Sequence, residues 1–508
     1  LELLVTTNYI IQYLTMDFDH TTLHNELCNY LRKKLYKTKI VLEYHKTASI
    51  ERATNSQEGA FRELELVVRR ADDLLLKCMC KQSSWLDATV TLPNIKEEVL
   101  DIVDDLFFWK RMLKIATAPS DKGWLALLQY AAKALEKHEE LREKLLKADS
   151  PLQKAAEHDR SHLLNKLLEV KERHASGREG STASIHEREY ILSIYLLSYL
   201  TEEDRIPTEV ESQLKDIKWG KPLGAGAYGQ VSQVEWLQQL CAVKIIQNGD
   251  PEEVKISRGC NHPNIVQFFW FLEQERTSYI IMERMPEDLS KHIRRLVERN
   301  GGRPFQLHVA IDIMLQIAKA MRYLHNKKPD KIVHRDLKPS NILVRPLTDR
   351  SQGYVHVKLA DFGISKSYDM SVTSSPMTLN KGTSVYAAPE MFNQQSKYGS
   401  NSSKLPPKID VWSFAMVCSE ILTGTKPFDG EQMTNLHAKI EAMDDLRPRL
   451  PSDCPQDLRY CITRCWECDP RKRPTFIEVC KMLKTAKAQS LGIIHFNSSM
   501  QVNNPTSR

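Results

Sequence analysis

No apolar run in this chain approaches the ~18 consecutive residues that a membrane-spanning helix needs. The best candidate, residues 190–200, is too short and is broken by Ser193 and Ser198. No charge of one sign dominates either. The 71 basic and 65 acidic residues leave a net +6, which gives the chain as a whole no case as a nucleic-acid binder. The 11 cysteines are scattered and lack the dense spacing of a secreted disulfide scaffold, so a reduced, cytoplasmic chain is the simpler reading. There is no internal repeat. The first residue is Leu1 and not methionine, which leaves open whether a targeting signal precedes it.

What is present is ordinary for a globular protein: 42% hydrophobic and 27% charged residues over 508 positions, enough for about two or three domains. Residues 1–120 are helical by period. Phe61, Leu64, Val68, Ala71, Leu75 and Cys78 step by three and four, as do Val99, Ile102, Leu106, Trp109, Leu113 and Ala116. Several such faces imply a helical bundle with a shared core. Residues 121–210 read as connecting helices and a linker. Leu141 and Leu145 continue a stripe, Ser150-Pro151 ends or bends it, and 172–184 is rich in Ser, Gly and charge. From about 211 short β-branched runs appear, followed by long helical stretches to about 489. Residues 490–508 read as a polar, disordered tail.

Chemistry-bearing motifs lie in the third zone. Leu223 is followed by Gly224-Ala225-Gly226-Ala227-Tyr228-Gly229-Gln230-Val231. A glycine-rich loop of this kind closes its backbone over phosphates and donates N–H groups to them, though such loops also serve as plain hairpin turns. Cys241-Ala242-Val243-Lys244 follows at the distance of two strands joined by a turn. An inward lysine there needs an anionic partner; a surface lysine on an edge strand is the bland alternative. Residues 334–341 read His-Arg-Asp-Leu-Lys-Pro-Ser-Asn, and Asp361-Phe362-Gly363 comes later. Asp336 is placed to accept a hydroxyl proton and Lys338 to reach a transferring phosphate. Asn341 and Asp361 offer the neutral and anionic oxygens that suit a hard cation.

Taken together, these motifs in this order resemble a eukaryotic protein kinase over residues 211–489. Gly382-Thr383, Ala388-Pro389-Glu390, the Asp410 to Phe414 segment, and Arg473 as a partner for Glu390 extend the resemblance. With His262-Pro263-Asn264 they look most like the tyrosine-kinase-like group of serine/threonine kinases, abundant in plants. The order of bundle, connecting helices and kinase-like domain is similar to mixed-lineage kinase-like proteins. The resemblance implies an α+β bilobal kinase fold preceded by an all-α bundle and connecting helices. It implies ATP and Mg2+ as cofactors, with Lys244 on the α- and β-phosphates and Met282 as gatekeeper. Adenine would lie against Ala242, Leu343 and the backbone near Glu283 and Met285.

One departure stands out. The helix that should carry an acidic partner for Lys244 is abbreviated. Counting back from His262 selects Glu253, which also fits the third position of a new helix and could be spent on capping. That register puts Ser257 at an expected apolar position, whereas Glu252 would put Ile256 there. Both registers stay open in the sequence. Serines and threonines from Ser365 to Ser384 are phosphorylation candidates, with Arg335 as a phosphate partner, or simply keep a loop solvated. Cys461, Cys465 and Cys468 read as core thiols because no fourth zinc ligand sits at the right spacing. Arg32, Lys33, Lys34, Lys37 and Lys39 form a basic cluster, either a solvated face or a contact for an anionic membrane. Two functions follow. One is a serine/threonine kinase acting on protein hydroxyls, with the helical region regulating or recruiting. The other is a weakly active or inactive kinase-like scaffold whose bundle self-associates or meets membranes.

Overall fold

The computed structural model describes residues 23–494, apart from 49–54, 80–84, 118–135, 139, 176–182, 202–216, 227–228, 237–238, 248–250, 275, 330, 348–352, 364, 369–384, 392–406, 431–439 and 441–445. The helical region contains α1 (Asn25–Ala48), α2 (Asn55–Cys78), α3 (Trp85–Thr91), α4 (Lys96–Ala116), α5 (Pro151–Ala175) and α6 (Ala183–Thr201). The three-four spacing of α2 buries Leu64, Val68, Ala71, Leu75 and Cys78 as the sequence demands. Helix α4 is buried almost all round over 99–109, including Asp101, Asp104 and Asp105. Pro151 opens α5, with the Ser150 hydroxyl accepting from the Gln153 amide at 3.2 Å, a serine cap before a first-turn proline. The linker expected over 172–184 is narrower, because α5 runs to Ala175 and α6 starts at Ala183.

The second region is bilobal. Its N-lobe is a five-stranded antiparallel sheet of β1 (Lys218–Gly226), β2 (Gly229–Trp236), β3 (Gln239–Gln247), β4 (Phe268–Gln274) and β5 (Thr277–Glu283), in the order β1-β2-β3-β5-β4. Short helix α7 (Pro251–Gly259) joins β3 to β4. The C-lobe adds β6 (Glu287–Asp288), α8 (Leu289–Asn300), α9 (Leu307–His325), β7 (Lys331–Val333), β8 (Ile342–Pro346), β9 (Val355–Leu359) and β10 (Lys366–Tyr368). Helices α10 (Pro407–Thr423), α11 (Gln456–Cys465) and α12 (Phe476–Ser490) complete it. Asp288 caps α8 by accepting from Lys291, and Gly301 at φ 64° ends it. Thr475 and Glu478 form a reciprocal capping box at the start of α12.

The apolar cores ignore the zone boundaries. One cluster joins Leu27, Leu64, Ile102 and Trp109 of the bundle to Ala488 of α12 and to Ile493 and Ile494 just after it. Residues 490–494, read in sequence as the start of a polar tail, are therefore packed; 495–508 lie outside the described residues. A second cluster joins Leu163, Leu167 and Tyr195 of α5 and α6 to Val234, Trp236 and Trp270 of the N-lobe sheet. Tyr195 stacks on Trp270 with ring centroids 3.9 Å apart, and its hydroxyl donates to the carbonyl of Phe269. Arg258 of α7 donates to the Ser198 carbonyl of α6 at 2.5 Å. Helix α6 thus braces the short helix from behind.

Candidate active site

The β1–β2 hairpin pairs Gly224 with Val231 and Gly226 with Gly229. Gly229 sits at φ +131°, and a Cβ there would lie 2.4 Å from the Ile245 carbonyl, so the close approach of β2 to β3 requires glycine. No atom would meet a Cβ at Gly224, which leaves open space on that side of the hairpin. Ala227 and Tyr228 lie outside the described residues. Strand register places Lys244 opposite Val231 and Ile280.

Lys244 is buried and lies between two carboxylates, at 2.5 Å from Glu253 Oε1 and 2.8 Å from Asp361 Oδ1. Burial works against the ammonium charge, but Asp361 and then Glu253 outweigh it, and its pKa is raised. Asp361 is the mirror case: burial favours its neutral form, the ammonium of Lys244 wins, and its pKa is lowered. The two registers left open by the sequence are reconciled here. Glu253 meets Lys244, while Ile256 is 3% exposed and joins Phe362 in the main C-lobe cluster. One short turn of α7 carries both, because positions three apart share a helical face.

Asp410, fully buried on α10, bolts the loop that carries Asp336. Its carboxylate accepts from the amides of His334 and Arg335, both at 2.9 Å, and lies 2.8 Å from His325 Nε2. Arg335 and Asp361 both adopt φ +67°, a left-handed backbone that ordinarily costs about 1–3 kcal/mol and is held by such surroundings. Asp336 Oδ2 meets Lys338 Nζ at 2.7 Å and accepts from Asn341 Nδ2 at 3.0 Å. Asp336 Oδ1 is buried without a hydrogen-bond partner among the described residues. A buried acceptor left open in this way is costly unless a ligand or water supplies the donor. Asn341 turns its amide NH2 toward Asp336, to the carbonyl at 2.9 Å as well, so its oxygen faces the other way. Asn341 and Asp361 therefore present oxygens of the kind that fits a magnesium ion.

The wall expected to hold adenine is assembled from Ala242, buried, with Leu223, Val231, Met282 and Leu343 half-buried and Met285 buried. The Glu283 amide donates to Gln267, and its carboxylate is tied to Lys358 at 2.5 Å and Arg345 at 3.0 Å. Burial opposes that carboxylate, Lys358 prevails, and its pKa falls to about 2. Ser365, one phosphorylation candidate, is buried and donates to the His334 carbonyl, which removes it from easy reach of another enzyme. Ser371, Thr373, Ser374, Ser375, Thr378, Thr383 and Ser384 lie outside the described residues. Arg473 makes a two-pronged pair with Glu390 at 2.6 and 2.9 Å. The cysteines Cys461, Cys465 and Cys468 are buried core thiols.

A second polar constellation was not foreseen. On α4, Asp101, Asp104 and Asp105 are the one trio among the described residues whose ligand atoms lie within 4.8 Å of one another. Ammonium and guanidinium groups already occupy the position a metal would take. Lys319 of α9 reaches Asp101 at 3.0 Å and Asp105 at 2.7 Å. Lys484 of α12 reaches Asp104 at 2.9 Å, and Arg70 reaches Asp101 and Asp105 at 2.7 and 2.9 Å. Nearby, Lys487 of α12 lies between Glu63 of α2 at 2.7 Å and Asp312 of α9 at 2.5 Å. Three aspartates among the buried apolar residues of 99–109 were a signal in the sequence, but the lysines that meet them lie 214 and 380 positions away.

Residues 217–483 match the family model for the protein kinase domain. A light-sensor protein kinase of Ceratodon purpureus is 33% identical over 91% of this chain and 36% of its own length. Serine/threonine-protein kinase VIK of Arabidopsis thaliana is 32% identical over 55% of this chain and 62% of its length. Human mitogen-activated protein kinase kinase kinase 11 is 28% identical over 56% and 33%. The chain thus spans less than two thirds of each of these relatives. A cryo-EM structure of the AtMLKL3 tetramer aligns with 96% of this chain and 88% of its own at a TM-score of 0.69 and 24% identity, a likeness of fold. The chain belongs to the protein kinase domain family, with an all-helical region packed in front of the kinase fold.

Proposed function

We propose that this chain is a signalling effector in which an ATP-binding kinase-fold domain holds and controls the helical region. The output of that region is self-association and contact with an anionic membrane surface. The observation that carries this reading is the buried clamp of Lys319, Lys484 and Lys487 on the carboxylates of α2 and α4. Breaking a buried ion pair is costly, so the state of the C-lobe can set whether the bundle is held. The AtMLKL3 chain, named as a tetramer, aligns over 96% of this chain and supports self-association.

Membrane contact is supported by charge and exposure on α1. Lys33, Tyr36, Lys37 and Ile40 are exposed on its outer side, with Tyr36 and Ile40 more than half exposed. Lys34 and Lys110 share the ring of Phe107 at 5.7 and 4.8 Å. Burial, followed by Lys34, Lys114 and Lys37, depresses the Lys110 pKa to about 8. Lysines crowded to that degree favour an anionic partner.

A second reading has its own observation: Lys244, Glu253, Asp336, Lys338, Asn341 and Asp361 stand in one cleft with an open buried acceptor on Asp336. In this reading the chain phosphorylates serine or threonine hydroxyls of proteins. Asp336 Oδ1 would accept the hydroxyl proton, Lys338 would face the transferring group, and Lys244 would anchor phosphates. Asn341 and Asp361 would hold magnesium, whose chemistry is charge neutralisation on the phosphates. The finer placement among tyrosine-kinase-like kinases belongs with this reading.

One experiment separates the two. Full chain, Asp336→Asn and Asp105→Asn are assayed for transfer of labelled phosphate to a generic basic substrate, for vesicle flotation and for molecular mass. The effector reading expects Asp105→Asn to raise vesicle binding and oligomer mass, with Asp336→Asn behaving as the parent. Magnesium-dependent labelling abolished by Asp336→Asn, with no change in flotation or mass for Asp105→Asn, replaces it by the enzyme reading.

A further inference from the structure

A cavity of about 580 Å³ opens on the C-lobe away from the nucleotide cleft, a volume within the range of small-molecule sites. Its walls come from α8, from the 301–306 connection, and from the two ends of the β8–β9 turn. Leu296 and Phe305 supply apolar surface over the nearly covered Val309 and Val355, while Arg295 and Arg303 supply cations and His292 an imidazole. None of the described lining residues is acidic.

The cations are held in place from outside the cavity. Arg295 donates to Glu287 at 2.6 Å, and His292 Nδ1 lies 2.7 Å from the same oxygen. Arg303 grips Asp453 with both guanidinium nitrogens. The Arg295 and Arg303 side chains are 51% and 48% exposed. Ion pairs that exposed contribute little, so an anion in the cavity exchanges with or joins them at small cost.

The back wall links the cavity to the bundle. Tyr354 lines the cavity and is 2% exposed, and its hydroxyl donates to Glu63 of α2. Glu63 in turn meets Lys487, whose ammonium lies 5.2 Å from the centre of the Tyr354 ring. A guest seated in the cavity lies beside this nearly covered ring and binds the docked bundle in preference to a displaced one.

We propose that this cavity is a binding site for a small amphipathic anion, an aromatic or short aliphatic body carrying a phosphate or carboxylate, and that its occupancy holds Tyr354 against Glu63 and so stabilises bundle docking. The apolar walls take the body and Arg295 with Arg303 take the anionic end. Stabilisation follows by mass action, because the guest favours the arrangement in which Tyr354 keeps its place. The site stands on the geometry of the docked form and does not require phosphoryl transfer or membrane binding by this chain.

The test uses the full chain with 2-naphthyl phosphate as probe, and 2-naphthol and inorganic phosphate as controls. Calorimetry should show probe binding at least about tenfold tighter than either control. Arg295→Gln/Arg303→Gln, on exposed side chains, should bring the probe down to the level of 2-naphthol. Leu296→Trp, which fills the cavity, should abolish binding with the melting temperature retained. Hydrogen exchange of α2 around Glu63 should slow on probe addition in the parent and not in Tyr354→Phe, which still binds. Equal binding of probe and 2-naphthol, or binding unaltered in both cavity variants, overturns the site. Binding without slowed exchange in the parent overturns the coupling. Neither result touches vesicle flotation or phosphate transfer, so failure here is distinct from failure of the effector reading.

Discussion

Lys319 of α9 donates to Asp105 of α4 at 2.7 Å across 214 positions of sequence, and both side chains are under 10% exposed. That contact is one of several that tie the C-lobe to the bundle. Replacing Lys319 by Met leaves Asp101 and Asp105 short of their nearest C-lobe cation in a buried site. The expected loss is about 3–5 kcal/mol, the range for removing one partner of a buried pair. Urea unfolding should show the bundle transition moving to lower denaturant. A Lys319→Met/Asp101→Asn/Asp105→Asn variant should recover part of the loss, since no carboxylate then remains uncompensated. Recovery of nothing would mean that shape, and not charge, holds the interface.

Lys244 stands between Glu253 and Asp361, so its removal should weaken ATP binding while leaving two buried carboxylates in opposition. Lys244→Met is expected to lower ATP affinity about tenfold or more, and Glu253→Gln by less, because Asp361 still orients the ammonium. Titration calorimetry with ATP and magnesium reads both. Equal affinity in Lys244→Met and the parent would remove Lys244 from the phosphate site.

Gly229→Ala should damage the N-lobe selectively. The new methyl would press on the Ile245 carbonyl at 2.4 Å, at a backbone angle reserved for glycine. An expected cost of about 1–3 kcal/mol from the angle alone, with the clash added, should lower the melting temperature and ATP affinity together. Gly224→Ala, which meets nothing, should do neither to the same degree.

Acidity should act differently on the clamp and on the α1 cluster. Burial opposes the charges of Asp101, Asp104 and Asp105, yet Lys319 and Lys484 hold all three pKa values down. Their contribution is full above the unfolded carboxylate value of about 4 and is lost as pH falls through the lower folded values. Lys484 and Lys487 are raised despite burial, so theirs is full below about 10.4 and is lost only at higher pH. Docking, followed by hydrogen exchange of α4, should therefore be level from about pH 6 to about pH 9.

Lys110 has the opposite sign. Its folded pKa of about 8 is depressed, so the fold gains stability as pH rises past that value while the cluster loses a charge. Vesicle flotation should weaken as pH passes about 8, and Lys110→Met should flatten that dependence. A bound anion raises the pKa again, which predicts proton uptake on binding near pH 8 by calorimetry in two buffers.

The kinase fold and the cleft were legible because their signals are local. The glycine hairpin, the inward Lys244, the loop around Asp336 and the aspartate at 361 each sit on one strand or turn, and motif order supplied the rest. The helical faces of α2 and α4 were readable from period for the same reason. Counting back from His262 reached Glu253, but choosing it over Glu252 needed the actual seat of a short helix whose Arg258 is tied to Ser198 of α6. Asp104 and Lys484 lie 380 positions apart, so their pairing exists only in the assembled molecule. Burial of Ile493 and Ile494 escaped because two apolar residues before a polar tail carry no period.

Glu63 and Lys487 meet across 424 positions, and Ala488, Ile493 and Ile494 fill gaps in the bundle core. During synthesis from the N-terminus, the helices emerge first and must wait for both lobes to leave the ribosome before that core can close. In that interval their apolar surface is open to chaperones and to sister chains. The order of translation thus makes the kinase fold the last-arriving keystone of its own leading helices, and a nascent chain halted before α12 should be captured by holdases more readily than the finished one.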